Sequence, residues 1–206
     1  MSKFIKLFYV ALFATLTLPL ASCSNDDDEP NDPNEQPGGG NDSEMKVFIA
    51  NDVQYYYPCY NNGAPMIGSW DDSNASVGAE FSITAWSVIG GGYSYPSDVE
   101  DGTKIELKIS VSESINNMTD GKKLTLVTYE GTAYSFGWLH KWNASCRYMV
   151  NSGEIYCESK SGNVITLRLN DLLLTRDKSY NDTNYQTLPA SVKVSGIVKY
   201  KKASYN

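Results

Sequence analysis

Alternation with a period of two constrains this chain more than any other feature. Ile105, Leu107, Ile109 and Val111 alternate with Glu106, Lys108 and Ser110. Ile165, Leu167 and Leu169 alternate with Thr166 and Arg168, and Phe81, Ile83 and Ala85 with Ser82 and Thr84. Val192, Val194 and Gly196 alternate with Lys193 and Ser195, and Leu124, Leu126 and Thr128 form a further short set. Successive side chains of a strand point to opposite faces, so each run has one buried face and one wet face. That is the signature of antiparallel strands. Residues 47–49, 53–57, 133–137, 145–150 and 154–158 are further strand candidates.

The punctuation agrees. Gly90-Gly91-Gly92, Asp101-Gly102, Asp120-Gly121, Glu130-Gly131, Ser152-Gly153 and Ser161-Gly162-Asn163 supply residues that tolerate positive φ. Many short strands separated in this way predict an all-β fold, an antiparallel β-sandwich first and a β-barrel as its alternative. No stretch of 12 or more residues shows a clear 3.6 period, although residues 112–119 could hold a short helical turn, and residues 172–174 read as the end of a strand. The βαβ pattern that forms a nucleotide-binding crevice is absent.

The first 44 residues are of another kind. Lys3 and Lys6 precede an uncharged, mostly apolar run of 14 residues, Leu7 to Leu20. A membrane span needs about 20 such residues, so the run reads as a secretory signal over 1–22, with an N-terminal membrane anchor as the alternative. Residues 30–44 contain no aliphatic or aromatic side chain. They have nothing to bury against the entropy of ordering, so 23–44 reads as an acidic flexible linker. Residues 45–206 remain as one domain of normal size.

This division relocates the charge. The whole chain carries a net −7, yet residues 24–44 hold eight acids and no base. Residues 45–206 hold 16 acids and 15 bases, so the domain is nearly neutral. No basic footprint for nucleic acid is present.

Leu20-Ala21-Ser22-Cys23 resembles the lipobox of bacterial lipoproteins, an aliphatic residue and two small residues before a cysteine. The resemblance implies a diacylglycerol on the Cys23 thiol, cleavage before Cys23 and a third acyl chain on its amine. A secretory signal with a chance cysteine is the plainer alternative. Ser24, Asp26, Asp27, Asp28 and Glu29 follow, and this run is similar to the lipoprotein export signal of the Bacteroidota, from which Asn25 departs. It implies an outer-membrane lipoprotein, lipid-anchored and facing the cell exterior; a plain solvated tether would also use such acids. The spacing of Gly196 and Tyr200 loosely resembles that of β-sandwich lipoproteins common in the Bacteroidota, and it transfers no functional residue.

Residues 146–157 read as a hairpin about Asn151 to Gly153, which would set Cys146 opposite Cys157. A disulfide there suits an oxidising exterior; three small buried thiols are the alternative.

Catalytic motifs are missing. His140 is the single histidine, no G-x-S-x-G occurs, and Cys59, Cys146 and Cys157 lack the spacing of a zinc set. No metal or cofactor is expected. Two carboxylates on facing strands could still make a glycan-active hydrolase, but the 16 domain acids cannot be paired from sequence. Aromatic residues are the best lead to a ligand. Trp138, His140 and Trp142 lie together, Tyr55, Tyr56 and Tyr57 run consecutively, and Trp70 sits in a polar loop. Flat rings stack on sugars or anchor proteins, although the same rings could be core. The expected role is non-catalytic binding of glycan or protein at the cell surface. The alternatives are a structural or adhesive subunit of a surface assembly and the hydrolase.

Overall fold

The computed structural model describes residues 45–60, 64–74, 76–89, 102–129, 132–133, 135–141, 144–179 and 184–203. The signal, Cys23, the acidic run, the linker, Gly90-Gly91-Gly92, Asp101, Glu130-Gly131 and Trp142 lie outside these residues.

The domain is all-β. Twelve strands follow one another: β1 Lys46–Ala50, β2 Val53–Tyr56, β3 Gly68–Asp71, β4 Ala79–Trp86, β5 Thr103–Val111, β6 Lys123–Leu124, β7 Thr128–Tyr129, β8 Thr132–Ala133, β9 Phe136–Lys141, β10 Ala144–Ser161, β11 Val164–Arg176 and β12 Ser191–Lys202. The helical turn expected within 112–119 is one 3₁₀ turn, Ile115–Asn117.

The sandwich expectation gives way to its alternative, the barrel. One sheet runs β12-β11-β10-β9-β5-β4-β2-β1, and β1 pairs back onto β12. These eight antiparallel strands close on themselves, and side chains fill a barrel of that size. β2 and β4 touch through only one residue pair, Tyr56 with Trp86. Further along, where β4 and β12 splay apart, β3 fills the gap, antiparallel to β4 and parallel to β12. At Gly68 of β3 an added Cβ would sit 2.5 Å from the Tyr200 ring, so only glycine lets β3 approach. Alternation did not reveal β3, because its four residues are too few to show a period.

Inside the barrel pack the apolar members of each alternating set, among them Ile83, Leu107, Leu139, Leu167 and Val194. The outward members are largely polar or charged. This is the reverse of a membrane-spanning barrel, which turns its apolar residues outward.

The hairpin expected within 146–157 does not form. β10 runs unbroken through it for 18 residues. Cys146, Tyr148 and Val150 face inward before Asn151, and Ile155 and Cys157 after Gly153. The inward parity therefore switches from even to odd across a bulge, where the pairing with β11 shifts register twice. β11 makes the matching switch across Asn170 and Asp171, from Leu167 and Leu169 to Leu172 and Leu174. Leu172 and Leu174 therefore continue a strand and do not end one. Cys146 lies opposite Leu139, and Cys157 opposite Leu167. At ~3.3 Å per residue roughly 36 Å of strand separates the two thiols, far beyond disulfide reach. Neither forms a disulfide, and both are buried.

Candidate functional site

The site lies on the outer wall, where β4, β5 and β9 run side by side. Their register sets three rows of outward side chains: Ser82, Lys108, Phe136; then Thr84, Glu106, Trp138; then Trp86, Lys104, His140. Each row follows from the alternation, because the residues between them, such as Ile83, Leu107 and Leu139, are fixed in the core. Gly137 is inward as well; a Cβ there would meet the Leu174 side chain at 2.9 Å.

The first two rows form the floor and one wall of a groove of about 310 Å³. Its floor is Ser82, Thr84, Glu106 and Lys108, with Phe136 and Trp138 along one side. Pro58, Met66 and Ile67, from the connection between β2 and β3, line the other side. Backbone bonds hold that connection in place. The Met66 amide donates to the Pro58 carbonyl at 2.7 Å, and the Tyr57 amide to the Met45 carbonyl at 2.7 Å. The groove thus combines a polar floor with apolar and aromatic flanks, the general make-up of small-ligand sites.

Charges on this wall are matched. Lys104 Nζ lies 2.6 Å from Glu106 Oε1, and Lys108 Nζ 3.0 Å from Glu80 Oε1. Arg147 Nε is 4.0 Å from Asp177 Oδ2, and its guanidinium covers the Phe136 ring at 4.6 Å. His140 Nε2 approaches Glu106 Oε1 at 3.9 Å. The Trp138 and His140 rings are nearly parallel, 14° apart, with centroids separated by 6.1 Å.

The aromatic candidates therefore divide. Trp138 and His140 come together on the outer wall, both half-buried. Tyr56 also faces outward, beside Trp86, but does not line the groove. Tyr55, Tyr57 and Trp70 are core residues, which corrects their assignment as ligand contacts. Tyr55 stacks on Phe48, and its hydroxyl lies 2.6 Å from Thr103 Oγ1. The Tyr57 hydroxyl accepts the Lys199 amide at 2.7 Å. Trp70 Nε1 donates to the Asn163 carbonyl at 2.9 Å and ties β3 to the turn between β10 and β11. The groove residues missed in sequence include Ser82, Thr84, Glu106, Lys108, Phe136 and the flank of Pro58, Met66 and Ile67. The alternation marks the first four as a wet face; the order of strands that gathers them is not encoded in any local pattern.

The buried tyrosines make stability pH-dependent. Burial pushes the Tyr57 phenol up to about 12, against a smaller opposing effect of its bond to Lys199. Tyr148 is likewise pushed up to about 12 by burial first. The folded state favours the neutral phenol, so this contribution is whole below pH ~10 and is lost as pH rises toward 12. For Tyr57 the difference corresponds to roughly 2–3 kcal/mol. The urea midpoint should stay level up to pH ~10 and then fall. Tyr57→Phe should make that fall shallower; an unchanged slope would contradict the assignment.

No family model matches the chain, and neither does any curated protein or solved structure.

Proposed function

We propose that this is a surface-exposed bacterial lipoprotein, anchored through Cys23, whose barrel binds glycan without catalysis in the groove on its outer wall. The observation that carries this reading is Trp138, an outward tryptophan beside a floor of Ser82, Thr84 and Glu106. Its ring offers a flat apolar surface to the C–H face of a sugar, and the floor offers donors and acceptors to the hydroxyls.

Two features weigh against the other roles. Glycoside hydrolysis uses a pair of carboxylates, and Glu106 is the one carboxylate among the described lining residues. Assembly by a donated strand uses an open sheet edge. Each of β4, β5, β9, β10, β11 and β12 has a neighbour on both sides.

A glycan array probed with the full chain in detergent tests the reading. Trp138→Ala should reduce the bound signal about tenfold while leaving the melting temperature within a few degrees of the parent, because the ring lies outside the core. Equal binding by the variant, or no glycan bound by the parent, removes the proposal.

A further inference from the structure

We infer that the groove takes the internal units of an uncharged, linear glycan lying along β9. This rests on the glycan reading above and specifies its ligand.

The argument starts from the repeat of flat rings. Phe136, Trp138 and His140 occupy alternate positions of β9 and share the outer face. Alternate residues of a strand are ~6.7 Å apart, so the strip extends for roughly 13 Å. Each step is somewhat longer than one pyranose unit in an extended chain, so about three units cover the strip. The Trp138 and His140 rings are stacked, 14° apart with centroids separated by 6.1 Å, so they form one continuous aromatic surface along the strip. A linear chain can follow that surface from one ring to the next.

The groove covers only part of this strip. At about 310 Å³ it lies at the small end of ligand pockets, and it ends at Trp138, whereas the strip continues to His140. A ligand seated on Trp138 thus runs out of the groove along the wall. Recognition of that kind reads units within a chain and does not require a chain end.

The electrostatics selects against acidic chains. Among the described residues Lys104, Lys108 and Arg147 are the cations that flank the groove, and each faces an acid: Glu106, Glu80 and Asp177 respectively. A uronate or sulfate would have to separate one of these pairs to gain a cation, and it would meet the Glu106 carboxylate on the groove floor. An uncharged sugar instead uses Glu106 as a hydroxyl acceptor with the pair intact.

Calorimetric titration of the full chain in detergent tests this. The probes are oligomers of glucose, xylose, mannose and N-acetylglucosamine of two to six units, with oligogalacturonates of the same lengths. One uncharged series should bind, its affinity rising roughly two- to tenfold for each ring newly engaged and levelling off at about three units. His140→Ala should weaken the longer oligomers and leave the dimer unchanged, an outcome that a purely structural role for His140 does not produce. Equal affinity from dimer to hexamer overturns the extended mode and leaves glycan binding standing. Preference for oligogalacturonate overturns the selection for uncharged chains. Binding of no oligomer at all overturns the glycan reading and this inference with it.

Discussion

Gly153→Asn should destabilise the barrel by roughly 2–6 kcal/mol, whereas Gly162→Asn should cost less than about 1 kcal/mol. Both glycines have positive φ, +114° and +55°. Their surroundings differ. Around Gly162, at the two-residue turn between β10 and β11, an added Cβ meets nothing within 4 Å. Its φ lies in the left-handed region that asparagine adopts readily. Gly153 lies within β10, at the bulge. An added Cβ there would come 2.6 Å from the Leu172 Cα and 2.7 Å from the Asp171 carbonyl oxygen. Those atoms are backbone, so β11 itself would have to move. The strained φ costs about 1–3 kcal/mol and the overpacking a similar amount. Total stabilities of 5–15 kcal/mol make this a large fraction. Urea unfolding of both variants checks it. The comparison also separates two topologies: in a hairpin about Asn151 to Gly153, asparagine at 153 would be as harmless as at 162. Equal midpoints for the two variants would argue for that hairpin and against a continuous β10.

The same bulge explains which parts of the fold are legible in the sequence. Alternation identifies β4, β5, the first part of β11 and β12 because in each the buried parity holds over several residues. It misleads where parity switches. Across Asn151 to Gly153 the apolar positions change from even to odd, and the polar-glycine break between them has the composition of a turn. One bent strand and two hairpin arms then look alike locally. What decides between them is β11, whose own switch at Asn170 and Asp171 matches that of β10. Barrel and sandwich are separated by a similarly distant fact, the pairing of β1 with β12 across the whole domain. No period in either strand carries it.

The site is legible to a different extent. Tyrosines 55 to 57 show that consecutive aromatic residues along an extended segment must divide between its faces, as they do, with Tyr56 outward. Which of Trp138 and Leu139 faces out follows from Leu139 pairing with the inward Ile105 and Cys146. That is a relation among three strands. Trp70 looked like a loop residue because its polar flanks hide a four-residue strand. The groove needs still more, since its far side comes from the β2–β3 connection, where no periodicity exists to be read.

Replacing Cys23 with serine should move the protein from the membrane fraction to the soluble fraction. On the proposed reading the Cys23 thiol accepts the diacylglycerol and the third acyl chain depends on the same processing, so a hydroxyl in its place removes both. Each methylene inserted contributes ~0.8 kcal/mol, and more than one chain is needed for stable attachment, so loss of the lipid removes the whole of it. The apolar run of the signal does not substitute. Leu7 to Leu20 comprises 14 residues, short of the ~20 that span a bilayer. Fractionation with quantitative blotting measures the outcome. Membrane retention equal to the parent would show that the N-terminal run anchors the chain by itself. Replacing Asp26, Asp27 and Asp28 with alanine separates attachment from display. On the proposed reading, in which the acids serve export and not anchoring, those variants should stay in the membrane fraction while protease shaving of intact cells falls. Shaving equal to the parent would reduce the acidic run to a solvated tether. The eight carboxylates of residues 24–44, with no base among them, would then serve only as solvated charge.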